Sequence, residues 1–75
     1  MKVFYDEEVD ALYLGLDERQ PDGVVEIAEG VNLDTTSDGK LTGIEILDAS
    51  KKFNINTILS YSLDFNKEIL KEKIA

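Results

Sequence analysis

The segment from Asp34 to Glu45 has the spacing of a twelve-residue calcium loop. Asp34 stands at its first position, Asp38 at the fifth, Gly39 at the sixth and Glu45 at the twelfth. In a helix–loop–helix calcium site the carboxylates converge on one ion, and the glycine allows the sharp turn between them. The spacing therefore indicates a candidate metal site at Asp34, Asp38 and Glu45, whose chemistry would be binding rather than catalysis.

The residues that flank this segment favour a different structure. Residues 31–33 and residues 44–47 alternate and are rich in β-branched side chains, which is typical of strands and not of the two helices that a calcium loop needs. Residues 37–40, with the sequence Ser-Asp-Gly-Lys, would then turn a β-hairpin. We take the hairpin as the main prediction and a calcium-binding or small-ligand-binding protein as the alternative.

A second group of acids lies between two predicted strands and consists of Asp6, Glu7, Glu8 and Asp10. Such a group attracts a basic protein by charge complementarity, which acts mainly on the association rate. A pair such as Asp6 and Asp10 could instead share acid and base roles in a minimal carboxylate-based enzyme. The chain has no His and no Cys, so the usual general base and thiolate nucleophile are missing. We therefore predict four partner-binding residues, no catalytic residue and no cofactor.

The charge is unevenly distributed along the 75 residues. The net charge is −8, with −9 on residues 1–39 and +1 on residues 40–75. An acidic surface repels phosphate backbones and anionic lipid, which argues against nucleic-acid and membrane partners and favours a basic protein. The sequence has no apolar run long enough to span a bilayer, and the absence of cysteine fits a reducing compartment. We predict a cytoplasmic protein.

Alternation of apolar and polar residues predicts strands over residues 2–5, 11–16, 24–28, 31–35 and 41–47. Gly30 marks either a bulge in one long strand or a tight turn between two, and Gly43 marks a bulge. Asp48 is the predicted N-cap of a short helix over residues 49–53. Residues 59–65 alternate as a strand does, although residues 55–63 also match helical spacing, and a closing helix is predicted over residues 67–74 after Asn66.

These elements predict an α+β fold in a single domain over residues 1–75. Its centre is a small twisted antiparallel β-sheet of four to five strands, with a short helix after Asp48 and a C-terminal helix against one face. A sheet edge left open in so small a domain invites another strand to pair with it. We therefore predict a homodimer.

Two blocks of the chain resemble a prokaryotic family of small domains, domain of unknown function number twenty-two eighty-three. They are Tyr5-Asp6-Glu7-Glu8-Val9-Asp10-Ala11-Leu12-Tyr13-Leu14 and Gly39-Lys40-Leu41-Thr42-Gly43-Ile44-Glu45-Ile46-Leu47-Asp48-Ala49-Ser50. The resemblance covers roughly residues 1–53. It implies a small antiparallel sheet with a helix and, from the small basic toxin genes beside some members, an antitoxin-like protein-interaction module. It supplies no catalytic residue, and this chain has Thr35-Thr36 where an aromatic–acid pair is common.

Overall fold

The computed structural model describes residues 1–60. The elements in chain order are β1 (Lys2–Asp6), β2 (Ala11–Gly15), β3 (Gly23–Ala28), β4 (Val31–Thr35), β5 (Leu41–Ile46), α1 (Ala49–Lys52) and a 3-10 helix (Ile55–Leu59). The strands form one antiparallel sheet in the order β1-β2-β5-β4-β3. The predicted antiparallel sheet with a short helix after Asp48 is thus confirmed, with five strands.

Two predicted elements of the C-terminal part cannot be compared with this structure. The closing helix over residues 67–74 lies outside the described residues, and so does most of the strand over residues 59–65. Leu59 itself ends the 3-10 helix. Within residues 1–60 the two helical segments are four and five residues long, and neither has the length of an apolar helix that crosses a bilayer.

The strand register gives the sheet two chemically different faces. One face, here called the apolar face, carries a row across all five strands, formed by Val3, Leu14, Ile44, Leu33 and Val25. Its next row contains Tyr5, Leu12, Ile46 and Val31. The opposite face, here called the polar face, carries Lys2, Phe4, Asp6, Tyr13, Gly15, Val24, Glu26, Asn32, Asp34, Gly43 and Glu45. The alternation predicted for residues 11–16 is confirmed over Ala11–Gly15, and Leu16 lies just beyond the end of β2.

The core of residues 1–60 is thin and lies at one end of the apolar face. Leu12 is 1% exposed and Ala49, the first residue of α1, is fully buried. The Ala49 amide donates to the Asp10 carbonyl oxygen at 3.0 Å, which fixes α1 over the start of β2. At the two edges of the sheet Val3 and Val25 stay exposed, whereas Thr42, at the other end of β5, is only 2% exposed, so burial falls off toward the edge strands.

The turns follow from local backbone geometry. Gly30 has a φ of 72° and forms a tight turn between β3 and β4, which settles the two alternatives that its sequence position left open. Asp34 pairs with Gly43 while Thr35 pairs with Leu41, so Thr42 is the extra residue of a bulge in β5. This confirms the predicted bulge, one residue before Gly43. The Thr42 carbonyl oxygen then accepts from two consecutive amides of the segment that follows β2, those of residues 16 and 17.

The capping role predicted for Asp48 is wrong. Asp48 does occupy the N-cap position of α1, but its backbone is left-handed, with φ 51° and ψ 43°, and its side chain makes no capping hydrogen bond. The predicted role assumed the extended backbone that lets an N-cap carboxylate reach back to the first-turn amides. The amides at the start of α1 find another partner, described below.

Candidate functional site

The four acids predicted to bind a partner lie at the end of the β1–β2 hairpin. Asp6 ends β1, and its Oδ1 accepts a hydrogen bond from the Glu8 amide at 3.0 Å. This contact closes the turn locally, as the sequence predicts for an aspartate that precedes a short loop. Asp10, at the other end of the loop, has a left-handed φ of 55°. The Asp6–Glu8 hydrogen bond therefore fixes the first end of the loop.

Asp10 joins the hairpin to α1. Its Oδ1 accepts from the Tyr5 hydroxyl at 2.7 Å and from the Ser50 amide at 3.0 Å, and its Oδ2 accepts from the Ser50 hydroxyl at 2.7 Å. Hydrogen bonds to the ionised carboxylate favour its charged form. The bond from Tyr5 and those from Ser50 accordingly hold the pKa of Asp10 below its ordinary value, and the same Tyr5–Asp10 bond raises the pKa of Tyr5.

Asp10 thus performs the capping that the sequence assigned to Asp48. It satisfies an amide of the first turn of α1 from a position forty residues away in the chain. A helix of four residues gains little stability from its own backbone bonds, so this tertiary contact decides where it sits. We call the contacts of Asp10 with Tyr5, Ser50 and Ala49 the Asp10 latch.

Glu7 and Glu8 differ from their two acidic neighbours. Both are exposed, and within residues 1–60 neither carboxylate takes part in a hydrogen bond or ion pair. Their backbone is held by the Asp6 turn on one side and by the Asp10 latch on the other. The acidic loop therefore contains two carboxylates that hold structure and two that face solvent from a fixed turn.

A second contact of long sequence separation crosses the polar face. The Tyr13 hydroxyl donates to Asp34 Oδ2 at 2.8 Å, spanning β2, β5 and β4. The phenol passes directly over Gly43, because a Cβ atom built on Gly43 would lie 1.9 Å from Tyr13 Oη. The hydrogen bond to Asp34, partial burial, and the charges of Asp34 and Glu45 raise the pKa of Tyr13.

The sequence did not predict that Tyr13, Gly43 and Asp34 meet at one site. Gly43 carried a signal, because a glycine inside a strand often marks a place where another group approaches the backbone closely. In the sequence, this signal indicates only the bulge. The partner that needs the space is Tyr13, which lies beside Gly43 only because β2 and β5 are neighbours.

The three carboxylates of the candidate calcium loop have separate hydrogen-bond partners. Asp34 accepts from Tyr13, Asp38 from the Thr36 hydroxyl, and Glu45 Oε1 accepts from Asn32 Nδ2 at 3.2 Å. The flanking elements are strands β4 and β5, and the turn between them includes Gly39 with a φ of 86°. Within residues 1–60, no three carboxylates lie close enough together to share a metal ion.

We expect calcium to leave the stability of this protein unchanged. Binding to the folded state at a concentration one hundredfold above the dissociation constant would add about 2.7 kcal/mol. That would raise Tm by on the order of 10 °C in a domain of this size. A thermal melt in about 5 mM calcium, an ion level far above the Kd range of sensor sites, should match a melt in chelator. An upward shift, together with heat in a calorimetric titration, would restore the calcium hypothesis.

Both long-range contacts lie within one stretch of the chain, from Tyr5 at one end to Ser50 at the other. A family model described as protein of unknown function (DUF2283) matches residues 2–50, which include all five strands and the start of α1. The chain belongs to the DUF2283 family. No curated protein and no solved structure matches it. In this DUF2283 domain the matched residues therefore contain both the Asp10 latch and the Tyr13–Asp34 contact, together with the exposed Glu7 and Glu8.

Proposed function

We propose that this protein is a non-catalytic protein-interaction module that binds a basic protein partner through the acidic end of the β1–β2 hairpin. The observation that carries the proposal is that two of the four loop carboxylates are held in hydrogen bonds while the other two are exposed. Asp6 and Asp10 hold the backbone, while Glu7 and Glu8 face solvent on a turn that is fixed at both ends. Charges held in a fixed geometry lose less conformational entropy on binding than charges on a mobile loop.

The charge of the whole chain supports the same partner class. The net charge of −8 comes from the first half of the chain, which contains the loop. Beyond the contact itself, such a field steers a cationic protein toward the surface and raises the association rate, with an effect that declines as salt rises. Two carboxylates at the tip of a hairpin are the part of this field that a partner meets first.

The test is capture of the partner and its loss on charge reversal. The protein is immobilised, binding proteins from the native host are identified by mass spectrometry, and the purified partner is titrated against wild type and the Glu7→Lys/Glu8→Lys double variant. Reversing two charges at a contact site should weaken binding by about a hundredfold, mostly through a lower association rate. The partner should be basic, and its affinity for wild type should fall as salt is raised.

The matched control is the Glu26→Lys/Glu29→Lys variant, which changes the net charge equally at two exposed residues of the opposite edge of the sheet. It should lose only the general field effect, within about tenfold of wild type. Equal losses in the two variants would mean that net charge alone attracts the partner. Unchanged binding by the Glu7→Lys/Glu8→Lys variant would contradict the proposal.

An antitoxin-like role is the finer form of this proposal and follows from the family resemblance. If the captured partner is toxic when expressed alone, co-expression of the wild-type protein should restore growth. The Glu7→Lys/Glu8→Lys variant should fail to do so, while the Glu26→Lys/Glu29→Lys variant should succeed. Rescue by both variants would remove the acidic loop from the role.

A further inference from the structure

The two edge strands of the sheet are open on one side within residues 1–60. β1 has β2 as its strand neighbour there, and β3 has β4. All residues of both strands are exposed, including Phe4 at 58% and Val24 at 64%. An open edge presents unpaired N–H and C=O groups to another strand, and proteins usually protect such edges. The two edge strands differ in how well their sequences allow pairing with another strand.

The sequence of β1 is complementary to itself when two copies run antiparallel. With Phe4 opposite the partner's Phe4, Lys2 falls opposite the partner's Asp6, and Val3 falls opposite the partner's Tyr5. Lys2, Phe4 and Asp6 all lie on the polar face, while Val3 and Tyr5 lie on the apolar face. Every pair therefore joins either two apolar or aromatic side chains or two opposite charges. All five residues of the strand take part in a pair.

Antiparallel pairing of β3 with a second copy of itself gives unfavourable pairs. Centred on Glu26, it would place two glutamates directly opposite each other, and centred on Val25 it would place Val24 opposite Glu26. Like charges directly opposite each other destabilise a strand pair. The register of β3 also shifts between Glu26 and Ala28, and a bulge of this kind protects an edge from pairing.

We propose that two copies of this protein associate through β1, in antiparallel register with Phe4 on the two-fold axis. The axis stands perpendicular to the sheet, because opposite residues then lie on the same face in both copies. Two five-stranded sheets become one continuous sheet, with the two apolar faces on the same side. The contact is isologous, so it closes at the dimer and leaves the β3 edges outermost. This inference does not depend on the proposed function, because Glu7 and Glu8 lie outside the paired strands.

Charge exchange tests the register. Lys2→Asp alone places two acids opposite each other twice in the dimer, and Asp6→Lys alone places two lysines opposite each other twice. Each single variant should raise the dimer dissociation constant by about tenfold or more, since both symmetry-related pairs become repulsive. The Lys2→Asp/Asp6→Lys double variant restores opposite charges in both pairs and should return to within about threefold of wild type. Analytical ultracentrifugation of the 8.4 kDa chain measures all four constants.

Cross-linking gives a second test of the register, which does not depend on weakening the dimer. The chain contains no cysteine, so Phe4→Cys introduces a single thiol at the proposed axis. Directly opposite residues have Cβ atoms about 5 Å apart, so a short bismaleimide should link the two copies covalently. Val24→Cys is the matched control, because it is a similarly exposed polar-face residue on the other edge strand. It should remain uncrosslinked at the same concentration.

Several results would overturn the inference. One is a wild-type protein that stays monomeric up to about 500 μM. The second is a pair of single charge variants that dimerise as well as wild type. The third is cross-linking of Val24→Cys and not of Phe4→Cys. The last result would assign the dimer to β3. Circular dichroism of each variant shows whether the sheet is intact. If a charge variant does not fold, the cross-linking of Phe4→Cys, compared with that of Val24→Cys, still tests whether the two copies pair through β1.

Discussion

Replacing Gly43 with alanine is expected to lower the free energy of unfolding by about 2 kcal/mol, a large part of the stability of a domain this small. The new Cβ would meet Tyr13 Oη at 1.9 Å and Tyr13 Cζ at 2.4 Å, so the phenol must leave its position. The cost is therefore the lost Tyr13–Asp34 hydrogen bond and the lost contact of the phenol ring with Gly43. Urea unfolding of the purified variant measures the change directly.

Gly15 provides the matched control for this prediction. It pairs directly with Gly43 across the β2–β5 ladder, but a Cβ on Gly15 meets nothing closer than 3.7 Å. Gly15→Ala should therefore be neutral or stabilising by up to about 1 kcal/mol, as an unstrained Gly→Ala change usually is. Adding Tyr13→Val to Gly43→Ala removes the clashing atoms, so the double variant should be more stable than the sum of the two single changes predicts. Strict additivity would mean that Tyr13 does not occupy this position.

Replacing Asp10 with alanine is expected to lower Tm by about 10 °C. The change removes the acceptor of three donor groups, namely the Tyr5 hydroxyl and the Ser50 amide and hydroxyl. It also places a side chain with no local hydrogen bond at a left-handed φ of 55°. Asp10→Asn keeps one acceptor oxygen and tolerates the left-handed backbone, so its Tm should lie between those of Asp10→Ala and wild type.

Acid titration isolates the charge of Asp10. Because its folded-state pKa lies below the ordinary value of 3.8, the unfolded chain takes up the proton first as the pH falls. The stabilisation is therefore fully present above about pH 4 and is lost as the pH falls through the lowered pKa. The difference in Tm between wild type and Asp10→Asn should shrink over that window. The pKa values of Asp17, beside Arg19, and Asp38, beside Thr36, are also lowered, but both groups remain in both proteins and cancel in the comparison.

Local pattern was sufficient to predict the strands of residues 1–46, the turn at residues 37–40 and the bulge beside Gly43, but not the register shift in β3 between Glu26 and Ala28. Leu12, Leu14 and Ile44 alternate with polar or small neighbours, and a strand with one apolar face requires only that alternation. Gly39 and Gly43 marked the turn and the bulge because glycine is favoured where the backbone departs from regular geometry. These features depend on residues within a few positions of one another, which is why the sequence alone carries them.

The contacts that define the site depend on which strands become neighbours. Ser50 meets Asp10 at a sequence separation of 40 residues, and Tyr13 meets Asp34 across β5, which neither residue belongs to. No periodicity encodes such a pairing, so the sequence could not separate Asp10 from the exposed Glu7 and Glu8. Asp48 illustrates a similar limit, because its left-handed backbone removes the capping role that its position indicated.

The unequal roles of the loop acids are tested most directly by one set of thermal melts on four variants, each of which replaces one carboxylate with the amide of the same shape. The variants are Asp6→Asn, Glu7→Gln, Glu8→Gln and Asp10→Asn. We expect Asp10→Asn to lower Tm by about 5 °C and Asp6→Asn by less, while Glu7→Gln and Glu8→Gln leave it within about 1 °C of wild type. Four equal melts, as a uniformly solvated loop would give, or a larger loss at Glu7 or Glu8 than at Asp10, would contradict the account.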